Sequence, residues 1–217
     1  MVFDREYFRT LYGDIPRQTR FDRARDDRVV RLVRRHAPPR RHGSALLDIG
    51  CGYGYLLRRF RGRYRLVGID LSAHAAHEST VRIPGALVLA ADVQGTLPFD
   101  LPFDHPFDVV LAVNVIEHLP DPESGVEEIR GVLAPGGLCV VHLPTINGPV
   151  SRAIYRFAYA KDLTHVYRPS GRDVRRLFER RGFRTLEATY APHTPWLGSG
   201  LGWHPAYLAA FRKTATR

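Results

Sequence analysis

Cysteine, lysine and long apolar runs are the scarce features of this 217-residue chain. Its two cysteines, Cys51 and Cys139, form no C-x-x-C pair, which argues against a disulfide framework and against a thiolate zinc site. Cys139 falls in a predicted buried strand and reads as a small buried hydrophobe. The ten histidines include no H-x-x-x-H pair beside a glutamate, so no metal site is expected. No stretch reaches the roughly 18 apolar residues of a membrane span, and the N-terminus is too polar for a signal peptide. A cytoplasmic protein that does not enter a membrane is the expectation. Internal repeats and low-complexity tracts are also missing, and no motif specifies an oligomeric state.

Lys161 and Lys213 are the only lysines among 32 basic residues, so the net charge of +10 is an arginine charge. Residues 1–42 hold twelve arginines against six acidic residues. Interleaved Asp and Arg favour a solvated helix face there; the alternative is an electrostatic footprint for nucleic acid or an acidic substrate. With 44% apolar and 25% charged residues, the composition is that of one soluble globular domain with a sizeable core.

The densest information lies in Leu46-Leu47-Asp48-Ile49-Gly50-Cys51-Gly52-Tyr53-Gly54, followed by Val67-Gly68-Ile69-Asp70. An apolar strand delivers a carboxylate into a turn of alternating glycines, and a second strand ends in another carboxylate about 20 residues on, the layout of an adenosyl-ligand site. Glycines let a ligand lie against the turn backbone and allow positive φ. Asp70 can accept hydrogen bonds from a ribose hydroxyl pair and would repel a 2′-phosphate. The glycine spacing is not that of a dinucleotide site, because Tyr55 stands where G-x-G-x-x-G needs its last glycine. Asp48 would repel a pyrophosphate but suits a ligand with a cationic ammonium and sulfonium. These properties point to S-adenosyl-L-methionine, with S-adenosyl-L-homocysteine as product.

Further motifs follow in order: Ala91-Asp92-Val93, Phe107 through Leu119, Leu133-Ala134-Pro135-Gly136-Gly137-Leu138, Asp162-Leu163-Thr164-His165-Val166, and Phe178 through Phe183. With the glycine turn they resemble the class I S-adenosylmethionine-dependent methyltransferases, in the small-molecule, ubiquinone-biosynthesis-like branch, over about residues 43–190. The resemblance implies an α/β, Rossmann-like fold: a seven-stranded, mostly parallel sheet with helices on both faces and an antiparallel last strand. It implies cofactor contacts from Asp48, Gly50, Cys51, Gly52, Gly54, Asp70, Leu71, Asp92, Val93 and Asn114.

Hydrophobic patterning predicts a helix over 22–36 ended by Pro38 and Pro39, then strand 45–49, helix 54–61, strand 65–69, helix 72–79, strand 86–90, strand 107–113, helix 122–133 and strand 137–143. Helix 170–181, strand 183–190 and a final strand over 206–211 complete the chain. Continuous apolar strands alternating with helices mean a parallel sheet covered on both faces. Residues 1–42 are expected to form a helical flap, made adhesive by Tyr7, Phe8, Tyr12 and Phe21, over a domain spanning 43–217. The long connection over about 144–169 is expected to be a lid. A short helix within it, 151–160, would bear Ile154, Tyr155, Phe157 and Tyr159, which either line a substrate pocket or pack the lid onto the sheet.

Methyl transfer from a sulfonium requires alignment of the acceptor and, for a protic acceptor, removal of its proton. The sequence Asn114-Val115-Ile116-Glu117 is not the Asn/Asp-Pro-Pro-aromatic of base-amine methylation, and neither cysteine is placed for cytosine C5 chemistry. A smaller acceptor, methylated on O, N or C in secondary metabolism or in lipid or quinone tailoring, is the leading expectation. An RNA or polyanion methyltransferase and a non-catalytic cofactor-binding regulator are the alternatives. Histidine suits a general base at neutral pH. His165 is the first choice because the resemblance puts its segment beside the acceptor; His118 follows, then His142, which also reads as a substrate contact. Tyr167 is a candidate for acceptor positioning. Glu117 either holds its loop or binds the cofactor's amino group, and Arg17 is one of several arginines suited to the cofactor carboxylate.

Overall fold

The structure, a computed structural model, describes residues 18–39, 43–94, 107–159, 162–190 and 205–215. Residues 1–17 and 40–42 of the expected flap, with Tyr7, Phe8, Tyr12 and Arg17, lie outside the described residues. The elements are α1 (Arg20–His36), β1 (Ala45–Ile49), β2 (Arg65–Asp70), α2 (Ala73–Arg82), β3 (Leu87–Ala90), β4 (Phe107–Val113), α3 (Pro122–Val132), β5 (Leu133–Pro144), α4 (Pro149–Tyr159), α5 (Gly171–Arg180), β6 (Phe183–Thr189) and β7 (Ala206–Lys213).

One seven-stranded sheet runs in the order β3-β2-β1-β4-β5-β7-β6. β1 pairs in parallel with β2 and β4, β2 with β3 and β4 with β5, whereas β7 lies antiparallel to both β5 and β6. The Rossmann-like expectation, including the reversed last strand, is met. The central strands are apolar on both sides because both sides are covered. Within β1, Leu46 joins the core under α1, with Val29, Val33, Phe60 and Ile83. Its neighbour Leu47 joins the opposite core, with Val126 and Ile129 of α3 and Val174, Leu177 and Phe178 of α5. This is the period-two alternation of a strand. Cys139 lies in the second core, fully buried, as expected.

Capping fixes where helices begin. α1 starts at Arg20, earlier than the apolar pattern suggests, because Thr19 and Asp22 form a reciprocal capping box. Ser72 caps α2, and Ser170 with Asp173 caps α5 in the same reciprocal way. The expected helix over 54–61 is reduced to a single 3₁₀ turn, Leu57–Phe60, since the left-handed backbone at Gly54, φ +74°, keeps a helix from starting there. The lid segment does contain a helix, α4, whose preceding loop is tied by the N–H groups of Asn147 and Gly148 donating to Ser151 Oγ, each at 2.8 Å. No helix among the described residues is long and apolar enough to cross a membrane.

The α5-side core is anchored by Phe178, stacked on Phe211 with ring centroids 4.4 Å apart and edge-on to Phe183 at 5.3 Å. Truncating a buried aromatic costs about 3–5 kcal/mol. Phe178→Ala is therefore expected to lower unfolding stability by that amount in urea titration, whereas a loss below about 1 kcal/mol would mean that this packing is not as tight as described.

Candidate active site

From the neighbouring strands β1 and β4 the chain crosses to opposite sides, to β2 and to β5. Such a switch point leaves a crevice at the carboxyl ends of the strands. Here it is a cavity of about 490 Å³, lined by the loops after β1, β2, β3 and β4 and by Gln18, Asp22, Arg25 and Asp26 at the start of α1. Asp48, Gly50, Cys51, Gly52, Asp70, Leu71, Asp92, Val93 and Asn114 all lie on its wall. Gly54 does not. A depression of about 420 Å³ near Ser44 and Arg65 sits at the other end of the sheet, away from these groups.

The three glycines of the turn serve different constraints, though all have positive φ (+65°, +52° and +74°). A Cβ at Gly50 would stand 2.6 Å from Val115 Cγ2, and one at Gly54 would collide with Ser79 Oγ and lie 2.6 Å from Ile83 Cδ1. A Cβ at Gly52 would meet no atom within 4 Å. Gly50 and Gly54 are thus glycines for packing, whereas at Gly52, which lines the cavity together with Gly50, only the backbone conformation calls for glycine. The turn is fastened to β2 by Asp70, which accepts from Gly52 N–H at 2.8 Å and from Ser72 N–H at 2.9 Å, one bond per oxygen. Each oxygen keeps a second lone pair.

Three carboxylates crowd this wall: Asp26, Asp48 and Asp70 are 0%, 2% and 8% exposed. Burial, then repulsion from Asp26 and Asp70, pushes the Asp48 carboxyl well above the usual range, with Arg25 opposing. Asp26 is also raised by burial, although Arg25 and Gln18 hydrogen-bond it. The expectation of a solvated α1 face fails here, because Asp26 and Arg25 turn inward. One signal was present: Asp26 lies one turn beyond the capping residue Asp22, on the same side of the helix. Asp92 accepts from Gln94 N–H at 2.9 Å. Burial raises the Cys51 thiol far up, so it is an inert wall group.

Beyond β4 the chain turns at Asn114, a non-glycine residue with φ +57°. Its N–H donates to the His142 carbonyl at 2.8 Å and its Oδ1 meets His142 Nδ1 at 2.7 Å. His142 therefore holds Asn114 from beneath and does not reach the cavity. His118 does line the cavity. Its Nδ1 lies 2.7 Å from Thr164 Oγ1 and 3.3 Å from the Thr164 carbonyl. His165 lies behind it, ring centroids 4.8 Å apart, with Nδ1 at 2.9 Å from the Tyr155 hydroxyl and Nε2 at 3.4 Å from Asp162. Burial lowers both imidazoles, His165 to about 4 with the neighbouring His118 adding to the effect. Glu117 is completely buried, and neither carboxylate oxygen has a hydrogen-bond partner among the described residues. Burial pushes its carboxyl up to about 8.

Tyr155, Tyr159, Tyr167, His142 and His165 are thus absent from the cavity wall. Tyr155 and Tyr159 pack on His165, with centroids 6.1 and 5.7 Å away, while Tyr167 donates its N–H to the Glu117 carbonyl at 2.9 Å. Ile154 and Phe157 are 41% and 93% exposed and line no part of the cavity. α4 presents an apolar stripe outward, where an inward one was expected.

Two outcomes follow. Gly54→Ala, with both a clash and a strained φ, should cost several kcal/mol of stability, whereas Gly52→Ala should cost only about 1 kcal/mol of backbone strain, as measured by denaturant titration. Equal losses would contradict the division of roles. Glu117, neutral in the fold and ionised when unfolded at neutral pH, makes the native state bind more protons between its ordinary 4.5 and about 8. Its contribution is complete at low pH and disappears as pH rises through that window. Glu117→Gln should therefore gain stability relative to the parent as pH rises from 5 to 8 in chelator-treated buffer; a pH-independent difference would show that Glu117 is already ionised.

The sequence profile of the Methyltransferase domain family matches residues 21–188. An uncharacterized methyltransferase of Mycobacterium leprae is 32% identical over 152 residues, which cover 68% of this chain and 51% of that protein. A ubiquinone biosynthesis O-methyltransferase of Psychrobacter cryohalolentis is 35% identical over 117 residues, 48% of this chain and 42% of the relative. The chain thus spans about half the length of these curated relatives. Among solved structures, the N-methyltransferase NodS from Bradyrhizobium japonicum in complex with S-adenosyl-L-homocysteine superposes with a TM-score of 0.71 at 19% identity, covering 97% of each chain. At that identity the likeness speaks for the fold, while the profile match extends over most of the chain and includes the whole glycine turn and the loop after β4. The chain belongs to the methyltransferase-domain family.

Proposed function

We propose that this protein transfers a methyl group from S-adenosyl-L-methionine to a small-molecule acceptor and releases S-adenosyl-L-homocysteine. The observation that carries the reading is the wall of buried carboxylates beside the open face of Gly52, at the switch point of a methyltransferase-family sheet. A raised, buried carboxyl such as Asp48 has a strong preference for a cationic neighbour. The ammonium and sulfonium of the donor supply that charge, and the remaining lone pairs of Asp70 suit a ribose hydroxyl pair. Asp92 and Val93 suit the adenine end, and Leu71 gives it an apolar surface. When bound, the donor contributes an already activated methyl group, so the chain's task is alignment and exclusion of water.

On the acceptor side, His118 is the histidine of the cavity wall. Thr164 engages its Nδ1, so Nε2 is the atom that meets an acceptor's proton. Its lowered pKa keeps the imidazole neutral near pH 7, the form able to take one. In this reading His165 is a positioning residue behind His118, together with Tyr155 and Asp162, and His142 positions Asn114. Residues 1–42 act as a cap and 144–169 as a lid on the domain spanning 43–217, which the α1 groups on the cavity wall support. Two α1 arginines are paired, Arg25 with Asp22 and Asp26 and Arg35 with Glu187, which takes these two out of any polyanion footprint on that helix.

Isothermal titration with S-adenosyl-L-methionine is expected to give one site per chain, weakened at least about tenfold by Asp48→Asn through loss of a buried charge partner. Absence of binding by a folded protein at millimolar ligand would overturn the proposal.

A further inference from the structure

We propose that Glu117, His118 and His165 hold one divalent transition-metal ion, of the Zn²⁺ type, at the acceptor end of the cavity. No metal was expected from the sequence, because the ligand pattern is assembled from the loop after β4 and from the lid. The fold brings one ligand-capable atom from each of the three within 4.8 Å of the others.

The buried carboxylate is the first reason. Glu117 is fully buried, and both of its oxygens lack a hydrogen-bond partner among the described residues. Buried polar groups are as a rule satisfied, and a buried carboxylate is paired or coordinates a metal. The histidines supply the second reason. A metal-bound imidazole donates its other ring N–H to an oxygen, which fixes its tautomer and orientation. Both rings are set up in this way: His118 Nδ1 is 2.7 Å from Thr164 Oγ1, and His165 Nδ1 is 2.9 Å from the Tyr155 hydroxyl. With Nδ1 as donor, each ring presents Nε2 as the ligand atom.

Asp162 stands beside them as a candidate fourth ligand. Its Oδ2 lies 3.4 Å from His165 Nε2. Two ligands each about 2.1 Å from a tetrahedral ion are themselves about 3.4 Å apart. Thr164 N–H donates to the other oxygen of this carboxylate at 3.0 Å, orienting it from outside. Ligation by all three principal residues requires the widest pair to close, a side-chain adjustment between one loop and the lid.

Two imidazoles with one or two carboxylate oxygens form a borderline donor set, suited to Zn²⁺, Mn²⁺ or Fe²⁺, whereas Mg²⁺ favours oxygen ligands and retained water. Because His118 also lines the cavity, the ion would stand where an acceptor oxygen arrives and would favour its deprotonation. In the metal-bound protein His118 Nε2 is then a ligand, and the ion replaces it as the group that activates the acceptor. This consequence rests on the methyltransferase reading; the ion site itself does not.

Equilibrium dialysis of the full chain against Zn²⁺ or Mg²⁺, with metal per chain measured by atomic absorption, tests the site. One Zn²⁺ per chain is expected, with Mg²⁺ at least about 100-fold weaker. Glu117→Gln and His165→Gln should each weaken Zn²⁺ binding at least about tenfold, while the exposed His77→Asn leaves it unchanged. Circular dichroism checks that each variant is folded, and His165→Gln carries the test if Glu117→Gln is not. Failure of the parent to bind stoichiometric Zn²⁺, or equal binding by parent and folded variants, overturns the proposal. Titration of the same samples with S-adenosyl-L-methionine separates the two readings: donor binding without zinc rejects only the metal site, and zinc binding without donor binding rejects only the methyltransferase reading.

Discussion

The hydrogen bonds from Gly52 and Ser72 to Asp70 tie together the glycine-turn side of the cavity. They join the glycine turn after β1 to the end of β2 and the start of α2. They act with the Cys51 N–H, which donates to the Ile69 carbonyl at 3.0 Å, to fix the turn on the sheet. The same carboxylate faces the cavity with its unused lone pairs, so one residue closes the structure and presents a recognition group. Gly50 and Gly54 complete the arrangement by letting the turn pack tightly on Val115, Ser79 and Ile83.

Around that fastening the chain concentrates negative charge that water cannot reach. Burial raises the carboxyls of Asp26, Asp48 and Asp70, and at Asp48 repulsion from the other two adds to the effect while Arg25 opposes it. Such a wall is stable chiefly in its neutral or cation-paired form, which makes it selective by charge before any contact of shape is considered. Deeper in, Glu117, His118 and His165 make a second polar centre with a different character, neutral near pH 7 and ordered by Thr164, Tyr155 and Asp162. One centre favours a cation as ligand, the other a metal ion or a proton.

The fold was readable because its signals are local. The apolar runs at 45–49 and 107–113 become the central strands with the same limits. Much of the cavity wall was readable for the same reason, since Asp48, Gly50, Gly52, Asp70 and Asn114 sit at or just beyond strand ends. The inward turn of Asp26 was only faintly legible, through its place one turn beyond Asp22, because a charged residue on a mostly charged helix reads as solvated until its neighbours in space are known. The lid helix is hard to read for a similar reason: of its apolar residues Tyr155 is buried, while Ile154 and Phe157 are exposed. The polar centre was hidden by distance along the chain, as His165 comes from the lid and Glu117 and His118 from the loop after β4.

The central claim is that the buried acidic wall is held partly protonated and is discharged by a cationic donor. Titration of S-adenosyl-L-methionine in buffers of different ionisation enthalpy, from mildly acidic to neutral pH, measures the protons exchanged on binding. Net proton release by the parent protein, markedly reduced in Asp48→Asn, is the predicted result; binding with no proton release, or with release unchanged by that substitution, would contradict the account.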